Sequence, residues 1–108
     1  MRAKLVITML FLACHLGQPV FSQTRFGDID CGAWLNKKGL PERAWLIGYL
    51  TGLNTMHDLN KNSDNPLNKV NSAEQIYVWM DNYCQKNPLN TIGDGGIQLF
   101  IELMKKAK

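Results

Sequence analysis

The chain predicts an all-α fold: a compact bundle of about four short helices, stapled by one disulfide, behind a cleaved export signal. Three observations carry that expectation. Apolar residues recur at helical rather than alternating spacing. Helix-ending and helix-starting residues separate the apolar stretches. Finally, two cysteines, Cys31 and Cys84, lie downstream of a leader-like segment.

The leader covers residues 1–22. Arg2 and Lys4 give a positive start, Leu5 to Ala13 an apolar run, and Val20-Phe21-Ser22 a cleavage site. The run is shorter than the roughly 20 residues a membrane-spanning helix needs. A mature chain beginning at Gln23 is therefore expected in the periplasm, where two cysteines in a small domain pair. Phe11-Leu12-Ala13-Cys14 partly resembles a lipoprotein box. Phe11 fits that box poorly, so cleavage after Ser22 is the preferred reading over acylation at Cys14.

Removing 22 of 108 residues leaves 86, a single domain (23–108) small enough for a cross-link to matter. A Cys31–Cys84 bridge closes a loop of 54 residues, counting both ends. Chain entropy assigns such a loop about 4 kcal/mol. The formal charge of +3 overstates the domain, because 12 basic residues become 10 against 9 acidic ones once Arg2 and Lys4 are gone. No basic stripe interleaved with aromatics appears, which argues against a nucleic-acid partner.

The first helix is expected over 28–38, capped by Asp28 or Asp30 and ended by Gly39, with Cys31, Trp34 and Leu35 on one face. The second is expected over 41–59, with Pro41 in its first turn. Trp45, Tyr49, Leu53 and Met56 form its stripe, widened by Leu46 and Leu50. Ala44, Gly48 and Gly52 form a second line. Since a helical glycine costs about 1 kcal/mol against alanine, that line predicts another helix or a ring packed on the backbone. Residues 60–71 read as a polar connection. Ser72-Ala73-Glu74-Gln75 reads as a capping box opening a third helix to Lys86, whose buried stripe is Ile76, Met80, Tyr83 and Cys84. Asn87-Pro88 ends it. A fourth helix is expected over 89–105, with Leu89, Ile92, Ile97, Phe100, Ile101 and Met104 inward. The glycines at 93, 95 and 96 either delay its start or let a bulky group sit close. Lys105, Lys106 and Lys108 suit its negative end.

No catalytic set emerges, and the domain is read as a binding protein, not an enzyme. His57 is the one histidine outside the leader, and its neighbour Asp58 points about 100° away on a helix. One histidine and two paired cysteines do not build a zinc site. Asp58-Leu59-Asn60-Lys61-Asn62 begins like a calcium loop, but Ser63 replaces the turning glycine and Lys69 the closing glutamate. Gly93-Asp94-Gly95-Gly96 lacks the lysine and hydroxyl of a phosphate loop. No cofactor or metal is expected. Trp79 and Tyr77 fall off the third helix's stripe, so they cover a second face or form a patch for a partner.

Three stretches together resemble a known family. They are Cys31-Gly32-Ala33-Trp34-Leu35, the run from Trp45 to Asn54 (Trp-Leu-Ile-Gly-Tyr-Leu-Thr-Gly-Leu-Asn), and the run from Trp79 to Leu89 (Trp-Met-Asp-Asn-Tyr-Cys-Gln-Lys-Asn-Pro-Leu). The pattern resembles the Rap/Tai family of bacterial immunity proteins and, more loosely, HdeA-like periplasmic helical proteins. That resemblance implies a disulfide-stapled helical domain that blocks a peptidoglycan amidase delivered by type VI secretion. An HdeA-like stress chaperone is the alternative it implies, and a homodimer is a further possibility. The matching residues are scaffold, so they do not transfer a partner surface. That surface is placed instead on the polar loop and its flank: Asn54, His57, Asp58, Asn60, Asn62, Asp64 and Asn65. A solvated connection is the competing reading of the same residues.

Overall fold

A computed structural model describes residues 24–37, 39–61 and 64–106. The expected leader, Cys14, Gln23, Asn62 and Ser63 lie outside the described residues. Within them the chain forms four α-helices: α1 (Cys31–Lys37), α2 (Leu40–Lys61), α3 (Ala73–Lys86) and α4 (Ile92–Lys105). A short 3-10 helix, Pro66–Lys69, lies between α2 and α3. No strand forms among the described residues; the one sheet-like contact is an isolated antiparallel bridge, Asp30 with Thr91.

α1 packs on α3, and α4 packs on both α2 and α3. The core between them consists of Cys31, Trp34, Leu46, Leu50, Ile76, Met80, Cys84, Ile92, Leu99, Phe100 and Leu103. Cys31 opens α1 and Cys84 lies in the last turns of α3; they form the disulfide, with Cα atoms 4.9 Å apart. Trp34 beside them is fully buried, and its indole N–H donates to Asp81 Oδ1 at 2.9 Å. Burying an aromatic of this size needs such an outlet for its one polar group.

The helices follow the expected order, with differences that have physical causes. α1 is capped by Asp30, whose Oδ1 accepts from Ala33 N at 2.8 Å. Asp28 has other work, described below. On α2 the buried line is Leu46 and Leu50, whereas Trp45, Tyr49 and Leu53 are half-buried and Met56 is exposed. The helix meets its neighbours along a narrower face than its apolar residues could cover. No other group lies near the position of a Cβ on Gly48 or Gly52, so the expected close packing on those glycines is absent among the described residues.

The polar connection is partly helical. Pro66 starts the 3-10 turn and is fully buried, while Asn65 precedes it without a side-chain cap. Ser72 stands at the start of α3 in extended conformation, but its side chain makes no capping bond. Gln75 Oε1 instead accepts from Asn71 N at 2.8 Å, one residue further back than a capping box requires.

α4 begins at Ile92, later than position 89 and earlier than Gly96. Its start carries the reciprocal cap: Thr91 Oγ1 accepts from Asp94 N at 3.2 Å, and Asp94 Oδ2 accepts from Thr91 N at 3.1 Å. Leu89 precedes the helix and is almost wholly exposed; Met104 faces outward; Leu99 and Leu103 take the inward places. The α4 glycines are the ones that need to be glycine. A Cβ on Gly95 would stand 2.6 Å from Met80 Sδ and 2.7 Å from Tyr83 Cδ1, and one on Gly96 would stand 3.1 Å from Tyr49 Cδ2. Large side chains of α2 and α3 rest directly on this helix's backbone.

Candidate functional site

The polar surface singled out by sequence is built on the C-terminal half of α2 and the segment that follows it. Asn54 turns its amide outward from α2 and makes two bonds. Its Nδ2 donates to Asn65 Oδ1 at 2.9 Å, and its Oδ1 accepts from Leu67 N at 3.2 Å. One side chain thus holds the entry of the 3-10 turn. One turn further along α2, His57 Nε2 lies 3.5 Å from Asp64 Oδ2. The imidazole also meets the Phe100 ring edge-on at 5.8 Å between centroids. Lys69 Nζ closes the far side by donating to Leu103 O at 2.7 Å.

Four of the seven named residues are therefore paired across the connection: Asn54 with Asn65, and His57 with Asp64. Asp58 and Asn60 are exposed on α2. Asn62 lies outside the described residues. The exposed apolar side chains of Met56 and Leu59 stand on the same end of α2. Chemically the surface offers amides, two carboxylates, an imidazole and two apolar side chains. No group of three or more metal-ligating side chains occurs among the described residues. The carboxylate that His57 meets is that of Asp64.

A second polar cluster, which sequence reading missed, lies at the start of α4. The segment 24–30 folds over that helix end through a turn at Gly27, whose φ of +82° suits glycine. Trp45 donates its indole N–H to Phe26 O across the turn. Asp28 then reaches the helix: Oδ1 accepts from Gly93 N at 2.8 Å, and Oδ2 accepts from Thr91 Oγ1 at 2.8 Å. Arg25 bridges the carboxylates, with Nε 3.1 Å from Asp28 Oδ2 and Nη2 2.8 Å from Asp94 Oδ1. Burial works to raise the Asp94 pKa, but the Arg25 hydrogen bond and charge, with the Thr91 bonds, hold it below the ordinary value. For Arg25, burial works to lower the pKa; bonds to Asp94 and Tyr49 and the two carboxylate charges raise it. The carboxylates occupy the helix N-terminus themselves, so this cluster is a clamp on the fold. Its sequence trace is Thr91-Ile92-Gly93-Asp94, a capping pattern masked by the glycines around it.

The off-stripe aromatics of α3 have separate fates. Tyr77 is half-buried, 6.4 Å from Trp34, and carries the Arg43 guanidinium 4.9 Å above its ring. Trp79 stacks on Tyr83 at 5.4 Å and 11°, and donates to Glu102 Oε2 at 3.1 Å. Tyr77 thus extends the core, and Trp79 forms a ridge between two surface grooves. No described helix is long and apolar enough to cross a membrane. Compared with protein-family models, curated proteins and solved structures, the chain matches none.

Proposed function

We propose that this protein is an exported immunity protein that neutralises a peptidoglycan amidase, delivered by type VI secretion, by binding it. The reading starts from the resemblance of the Cys31–Leu35, Trp45–Asn54 and Trp79–Leu89 stretches to Rap/Tai proteins. One structural observation supports it above others. The connection that carries the candidate surface is tied to α2 at two points, by Asn54 to Asn65 and Leu67, and by His57 to Asp64. A loop held this way loses little further conformational entropy on binding, which favours a tight protein partner. Asp58, Asn60, Met56 and Leu59 then supply exposed polar and apolar contacts beside it.

The test is affinity purification of the tagged mature domain from its native host at neutral pH, with mass spectrometry of what remains bound. This reading expects one stoichiometric cell-wall amidase. Absence of any such hydrolase, together with suppression of client aggregation at acid pH, replaces it with the HdeA-like chaperone.

A further inference from the structure

We propose that the groove between α3 and α4 on the Trp79–Tyr83 side is a saccharide-binding site. It is open, about 470 Å³, within the size range of small-molecule sites. The proposal is independent of the immunity reading and uses a different face of the molecule.

Rigidity is the first argument. Trp79 and Tyr83 stack on each other, and each ring is pinned at its polar end. The Trp79 indole N–H donates to Glu102 Oε2 at 3.1 Å, and Asn90 Nδ2 donates to the Tyr83 hydroxyl at 2.8 Å. Gly95 lets Tyr83 settle against α4. The aromatic wall is therefore preorganised and costs little ordering on binding.

The remaining hydrogen-bonding capacity is the second. The Asn90 bond uses the Tyr83 oxygen as acceptor, so the phenolic proton stays available to donate. Asn90 Oδ1 and Glu102 Oε1 remain acceptors, and Lys105 adds donors. Gln98 is exposed, lines the groove, and holds no hydrogen bond to another described residue; it offers both donor and acceptor. Donors and acceptors thus line one groove together with the Trp79 and Tyr83 rings. That matches a sugar ring, which carries hydroxyls that both give and accept and has an apolar C–H face.

Other ligand classes fit less well. The walls are two helices and the link between them, where Asn87 N donates to Tyr83 O and Asn90 N to Asn87 O, so no strand edge is offered to an extended peptide. Glu102 opposes Lys105, which leaves no net charge to select an anion or a cation. Ile101 is the one aliphatic lining residue, too little for an apolar ligand.

The experiment titrates the mature protein with chitotriose and with cellotriose, followed by amide chemical shifts and tryptophan fluorescence. The proposal expects saturable shifts confined to the α3–α4 groove. Gln98→Ala removes its amide donor and acceptor, and Tyr83→Phe removes the phenolic donor together with the Asn90 bond; each should weaken binding by at least about fivefold, with unchanged circular dichroism. Preference for chitotriose would assign the site to acetamido sugars; equal binding would assign it to the hydroxyl pattern alone. No saturable change with either sugar up to about 10 mM, weaker than a specific site requires, overturns the proposal. So does binding that both variants leave intact.

Discussion

The two ends of α4 are held in different ways. At its N-terminal end the chain crowds polar and apolar groups onto one backbone. Asp28 satisfies Gly93 N and Thr91 Oγ1, Asp94 returns the cap, and Arg25 joins the two carboxylates. Tyr49, Met80 and Tyr83 rest on Gly95 and Gly96, and the disulfide adjoins, with Cys31 N donating to Asn90 O at 2.9 Å. Along its C-terminal half the polar ties to α4 are single bonds, Trp79 with Glu102 and Lys69 with Leu103 O, while His57 with Asp64 and Asn54 with Asn65 hold the neighbouring connection to α2. Met56, Leu59 and Met104 stay exposed there. The first end rests on a network of polar bonds, whereas around the second the core residues Phe100 and Leu103 hold the helix and the exposed side chains can change at little cost in stability. A binding protein benefits from that separation, because recognition residues can vary without unfolding the scaffold.

The largest effect should come from the disulfide. Replacing Cys31 and Cys84 together by serine should cost about 4 kcal/mol, read as a shift in the urea midpoint. That is a large share of the stability of a domain this size. Next comes Asp28→Ala. It leaves the buried Gly93 N–H and the Thr91 hydroxyl without their acceptor and should cost about 1–3 kcal/mol. An Asp28→Ala protein as stable as the parent would remove the asymmetry between the two ends.

The glycines sharpen the comparison because they predict opposite signs. Gly95→Ala places a methyl against Met80 and Tyr83 and should destabilise, with the overpacking cost of about 1–3 kcal/mol outweighing the helical gain. Gly48→Ala and Gly52→Ala meet nothing and should each stabilise by up to about 1 kcal/mol. Thermal melts of the three variants suffice. At the loop end, Asn54→Ala should cost only about 1 kcal/mol, since its bonds are partly exposed.

The smallest effect concerns pH. The folded-state pKa of Asp94 lies below its unfolded value, so its contribution is present above the unfolded carboxylate pKa near 3.9 and is lost as pH falls through the folded value. The side chain is 42% exposed, so solvent screens the effect. Denaturant midpoints of the parent should fall more between pH 7 and about pH 3 than those of Asp94→Asn.

The sequence disclosed helix number, helix order and the cysteine pair, because apolar spacing and turn residues are local signals. It misjudged which apolar faces turn inward. Trp45, Tyr49, Leu53 and Met56 satisfy a helical stripe as well as Leu46 and Leu50 do, and only the neighbours of α2 decide between them. The same holds for Ile97 and Ile101 against Leu99 and Leu103. Of the two glycine sets, the α2 line looked the more regular, yet the irregular α4 set carries the close contacts, since Met80 and Tyr83 arrive from a different helix. The Asp28 clamp was invisible for a similar reason: it joins positions 65 residues apart. For the candidate surface, spacing placed Asn54 and His57 on α2, but their partners Asn65 and Asp64 emerged only with the fold.

The most direct test of the proposed function is release of peptide from purified sacculi by any amidase that co-purifies with the tagged protein. The account predicts that the parent blocks release at one-to-one stoichiometry. It also predicts that Asp58→Lys with Asn60→Lys abolishes the block while keeping the parent's melting temperature. Unimpeded release in the presence of excess parent protein, or full inhibition by the double variant, would contradict it.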